Sequence, residues 1–94
     1  MKDRINIIQE TVGLVIDVYV REDYDYTVHH IKKYGTIPEG IETVEEAIKH
    51  IQRIGVSGDL SEIELELAAK IIMLEISLIE QFIFEEVEEN ESAE

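Results

Sequence analysis

Apolar residues Ile5, Ile8, Val12, Val15 and Tyr19 recur at alternating steps of three and four, while Asn6, Glu10, Asp17 and Arg21 gather on the opposite side. At about 100° per residue this is one face of a helix, and it predicts a helix over residues 3–22. The β-branched run from Leu14 to Val20, opened by Gly13, offers a strand as the competing reading. Glu22, Asp23, Tyr24 and Asp25 read as an acidic turn. Residues 26–34, with Val28 and Ile31 three apart, read as a short second helix that stops at Gly35. Pro38 pushes Ile37 away from helical geometry, so the connector 36–40 separates two expected helical hairpins.

The remaining helices carry clear punctuation. Thr43 with Glu46 forms a capping box, Val44, Ala47, Ile48, Ile51 and Ile54 line one face, and Gly55 supplies the stop, giving a helix over 44–54. Ser61 with Glu64 repeats the box, and Leu60 with Leu65 occupies the positions of a hydrophobic staple. That last helix is expected to run to about residue 88.

Two apolar stripes share this long helix. Leu65, Ala69, Ile72, Ile76, Ile79 and Ile83 form one, and Leu67, Ile71, Leu74, Leu78 and Phe82 form another about 140° away. The polar strip between them, with Glu62, Glu66, Lys70, Ser77, Glu80 and Gln81, is narrow. Three short neighbours offer little surface to cover both stripes, so one is expected to pack within the protomer and the other against a second copy. A helix buried entirely inside one four-helix domain is the alternative. The expected fold is therefore all-α: a four-helix domain of helical hairpins over residues 1–84, dimeric through its long C-terminal helix, with an acidic, frayed tail over 85–94. A chain of 94 residues buries a modest share of its surface, which makes oligomerisation a natural source of stability.

Charge sharpens this picture. Residues 59–94 carry twelve acids and one base, Lys70, whereas residues 1–58 carry ten acids and seven bases; the formal total is −14. Such a field repels nucleic-acid backbones and anionic lipid, so no direct nucleic-acid or membrane binding is expected and a basic protein partner is favoured. No stretch reaches the roughly 18 uncharged apolar residues of a membrane span, and the start of the chain does not read as an export signal. With no cysteine there is no thiolate metal site or thiol nucleophile, and a cytoplasmic location is the default.

Candidate chemistry is sparse, and no cofactor, metal site or catalytic residue is expected. Glu62 and Glu66, with Glu45 and Glu46, have the residue types of a magnesium–phosphate site, but the first turn of a helix already accounts for Glu45 and Glu46. Glu75 falls in a notch between the apolar stripes. It can meet its own copy at a dimer axis, or sit at the rim and pair with a base such as Arg53. Tyr26, His29, His30, Lys32, Lys33 and Tyr34 form the one basic and aromatic patch, able to hold a nucleotide or small anion, or else simply a solvated face offsetting the chain's acidity.

The acid-rich end suits either solubility or presentation of carboxylates to a basic groove. Small acidic helical inhibitors, including nucleic-acid mimics carried by phages and mobile elements, share this size and composition. The expected function is a homodimeric regulator or inhibitor, not an enzyme, acting through contact with a basic protein, for which a nucleic-acid-binding protein is one candidate. Glu62, Glu66, Glu80, Glu85, Glu86, Glu88 and Glu89 would supply attraction and Phe84 an apolar anchor; Leu67, Ile71, Leu74, Glu75, Leu78 and Phe82 would form the dimer interface. The alternatives are a nucleotide-handling protein using the His29/Lys32/Lys33/tyrosine patch and a structural subunit of a larger assembly.

Overall fold

A computed structural model describes residues 3–55 and 58–92, with side chains through Asn90. The described chain forms three helices: α1 (Arg4–Tyr34), α2 (Val44–Ile54) and α3 (Glu62–Ser92). The four-helix expectation is corrected to three, because α1 runs unbroken through Glu22–Asp25 and takes in the expected turn and second helix. Residues 14–20 are helical, and Gly13 lies inside the helix. None of the residues at 22–25 breaks helical geometry. Arg21 pairs with Asp17 one turn back at 3.0 Å, and apolar anchoring resumes downstream at Ile31, so the helix has a buried footing on both sides of the acidic stretch.

Helix ends follow local chemistry. Asp3 accepts from the Ile5 N–H at 3.1 Å to start α1, and Gly35, at φ 72°, donates to the Ile31 carbonyl at 2.8 Å to end it. Thr43 accepts from the Glu46 N–H at 3.1 Å, while the Glu46 carboxylate takes its bond from the Glu42 N–H at 3.1 Å, one residue before the position the capping box assigns. At α3 the box is reciprocal: Glu64 N–H donates to Ser61 Oγ at 3.2 Å, and Ser61 N–H to Glu64 Oε1 at 3.0 Å. Leu60 and Leu65 both pack against the main core, as a staple requires. The loop residues Val56 and Ser57 lie outside the described residues.

Contacts fix the topology. Arg4 meets Glu64 at the starts of α1 and α3, and Ile31 packs with Ile83 and Val87 towards their ends, so the two long helices run parallel. The expected hairpin arrangement is therefore replaced. The chain must return the full length of α1 between them. It does so in two pieces: residues 35–43, which can reach up to about 30 Å, and α2, about 16 Å long. Pro38 is buried, and Ile37 and Ile41 are packed inward along this return.

The main core joins Ile8, Val12 and Val15 of α1, Ala47 and Ile51 of α2, and Ala68, Ala69, Ile72 and Ile76 of α3. A smaller cluster, Ile31 with Ile83 and Val87, closes the far end. The molecule measures 54 × 22 × 18 Å, long enough for two helices of about 46 Å side by side. Everything packed on α3 lies on one side of it.

Candidate functional site

That one-sided packing exposes the second apolar stripe. Ile63, Leu67, Leu74, Leu78 and Phe82 remain between 47% and 81% exposed. They fall within one sector of about 100°. Ile71, in the same sector, is half-buried against the core. The inward stripe behaves as its spacing predicts: Ala69, Ile72, Ile76 and Ile83 are buried, and Leu65 and Ile79 lean on the core clusters. A helix fully enclosed in one domain is excluded by the exposure of Leu74, Leu78 and Phe82. Glu75, at the edge of the exposed face, is itself exposed.

The acidic residues divide. Glu62, Glu66, Glu85, Glu86, Glu88 and Glu89 are exposed, and Glu66 pairs with Lys70 at 3.3 Å. α3 continues through the Glu85–Glu89 run to Ser92; Ala93 and Glu94, the end of the acidic segment, lie outside the described residues. Glu80 departs from the expected outward line. It is 8% exposed, because α1 and the returning connector cover its flank of the helix, while Ser77 and Gln81 of the same strip stay exposed. Phe84, expected as an exposed anchor, packs against the Ile31–Ile83–Val87 cluster instead. At about 100° per residue it stands one turn beyond Glu80, on the flank that α1 covers.

Glu80 lies in the wall of a cavity of about 270 Å³ formed where α1, the connector, α2 and α3 meet. Its carboxyl oxygens face Gly40, where an added Cβ would come within 3.5 Å of Oε2. The Tyr19 hydroxyl, 3.2 Å from Thr27 Oγ1, interacts with the same carboxyl. Burial raises the Glu80 pKa above the usual carboxylate range, and the Tyr19 interaction holds part of that shift back. Burial also raises the Tyr19 phenol, against the opposing bond from Thr27. Asp23 and Tyr26 on α1, Glu39 on the connector, and His50 and Arg53 on α2 complete the polar lining. Sequence reasoning missed this cavity. Its residues come from four separate segments, and no spacing within a single helix records their meeting.

The basic and aromatic patch is drawn together in part. Tyr26, His30 and Tyr34 succeed each other at i, i+4 and i+8, with ring centroids 6.1 and 4.7 Å apart. His30 donates from Nδ1 to the Thr36 carbonyl at 2.8 Å, and Lys33 Nζ lies 5.3 Å from the Tyr34 centroid. His29 and Lys32 are exposed on the same turns, and Lys32 points off this face by helical geometry. Among the described residues no cluster of three or more His, Asp or Glu has a metal-binding arrangement, and no helix is long and apolar enough to cross a membrane.

Comparison of the chain with protein-family models, curated proteins and solved structures returned no match.

Proposed function

We propose that this protein acts by contact: two copies pair through the outer face of α3, and the pair regulates or inhibits a basic, nucleic-acid-binding protein by presenting carboxylates to it. The observation that supports the reading is the exposed row from Ile63 to Phe82. It runs about 29 Å along one helix face, and a contiguous apolar row of that length is the usual mark of an interaction surface.

Charge chooses the occupant and its direction. Glu85 and Glu89 continue the same sector beyond Phe82, so a parallel pairing would set these acids against their own copies. An antiparallel pairing keeps the two acidic ends apart and turns each towards the N-terminal end of the opposite α3, where the helix dipole is positive and Glu64 and Glu66 are already paired with Arg4 and Lys70. The Leu74 and Leu78 side chains then lie near the centre of the contact. Glu62, Glu66 and Glu88 remain on the flank, free for a basic partner.

Light scattering on the full chain tests the pairing. Twice the protomer mass, unchanged between low and high salt, is expected for an apolar contact, and Leu78→Glu should halve it while helical circular dichroism is retained. A monomer at all concentrations would overturn the reading. For the acidic flank the test is competition. The pair should displace duplex DNA from a basic DNA-binding domain, and a variant with Glu62, Glu66 and Glu88 changed to Gln should do so markedly less while keeping the mass of the pair.

A further inference from the structure

Glu80 presents an unusual combination. The residue is only 8% exposed, its carboxyl oxygens face Gly40 in the wall of a cavity, and among the described residues no basic side chain forms an ion pair with it. Buried carboxylates are ordinarily paired, because desolvating a charge without compensation is expensive. The Tyr19 hydroxyl supplies a hydrogen-bonding neighbour and no charge. We infer that the cavity is a binding site for a small organic cation, a primary amine carrying a compact apolar body, whose ammonium group pairs with the Glu80 carboxylate.

The surroundings suit that ligand class. Asp23 and Glu39 add two further acids to the lining, against a single fixed base, Arg53. Arg53 is exposed and turned to its own helix, with Nη2 3.4 Å from His50 Nδ1. Val15, Ile54 and Ile76 offer an apolar wall for the ligand body. Tyr26, exposed at the rim, offers a ring face to a cation. At about 270 Å³ the space is just below the roughly 300 Å³ at which drug-sized sites begin, so the ligand is small. Gly40 leaves the approach to the carboxyl open, since any longer side chain there would grow towards Oε2. The site is independent of the pairing through α3, because its residues lie on the packed side of that helix.

The test uses three probes of one shape on the full chain, followed by amide chemical shifts: benzylamine, benzyl alcohol and benzoate. Benzylamine should shift the amides of residues 19, 40 and 80 and bind at least roughly tenfold more tightly than benzyl alcohol, as a charge-assisted bond requires. Glu80→Gln, which keeps shape and removes charge, should bring the amine down to the level of the alcohol. Gly40→Leu should abolish binding of both. Equal affinity for amine and alcohol, tighter binding of benzoate, no shifts at these amides, or an unchanged amine affinity in Glu80→Gln would each overturn the assignment.

Discussion

Arg4 and Glu64, sixty residues apart, tie the first turn of α1 to the first turn of α3: Arg4 Nε donates to Glu64 Oε2 at 2.8 Å, and Nη2 donates both to Oε1 and to the Asp59 carbonyl, the latter at 2.7 Å. The guanidinium, helped by the Ser61 N–H, holds the Glu64 carboxyl well below its usual range, at about 2. A carboxylate with a depressed pKa contributes stability that is complete above its unfolded value of about 4.3 and is lost as pH falls towards the folded value. Glu64→Gln keeps the cap acceptor and removes the charge. The gap in denaturant midpoint between wild type and Glu64→Gln should therefore be constant above about pH 5 and close between there and pH 2. Because the Arg4 side chain is more than half exposed, added salt should narrow it. A gap indifferent to pH would show that the charge is not what ties the helices.

What the sequence disclosed depended on how local the signal was. Thr43, Ser61, Gly35 and Gly55 marked their helix ends because capping is decided within four residues, and the Leu65–Ile83 stripe marked the core because periodicity belongs to one helix. Glu22–Asp25 misled for the complementary reason. An acidic cluster disfavours a helix only weakly, and the packing of Val15 upstream and Ile31 downstream overrides it. Glu80 was read outward from its place on the wheel, yet it is the connector, from Pro38 to Ile41, that covers it. No periodicity within α3 can report where a different segment lies.

The continuity of α1 is open to a direct test. A proline at Asp25 would remove the N–H that bonds to the Arg21 carbonyl and would clash with that carbonyl, at a cost of about 3 kcal/mol or more inside a helix. Asp25 is exposed, so no packing is lost with its side chain. Asp25→Pro should lower the unfolding free energy by about that amount in urea. A turn at this position would accommodate proline with little change.

Ile72 and Leu74 are two residues apart and face opposite environments, the first fully buried and the second 62% exposed. Ile72→Ala should destabilise the protomer by about 2–5 kcal/mol through lost contacts and the cavity left behind. Leu74→Ser should change the protomer's own stability by no more than about 0.5 kcal/mol, measured at concentrations too low for association. The two effects should exchange rank when association is measured instead of unfolding. Equal destabilisation by both would place Leu74 inside the protomer.

Glu80 should titrate in the opposite sense to Glu64. Its pKa is raised on folding, chiefly by burial, so between its unfolded and folded values the native state holds the extra proton. Stability from this group is therefore largest in acid and declines as pH rises through the raised value, where the buried carboxyl must ionise. The charged or titratable neighbours are Tyr19, Asp23 and Tyr26 on α1, Glu39 on the connector, and His50 and Arg53 on α2. Burial opposes ionisation of Glu80 and the Tyr19 hydroxyl favours it. Replacement by glutamine retains a partner for Tyr19 and abolishes the titration. Glu80→Gln should accordingly be more stable than wild type at pH 7, with the advantage shrinking towards pH 4, in thermal melts run across that range. If the advantage instead grows in acid, a cation compensates the Glu80 carboxylate in the folded chain and its burial is not the controlling effect.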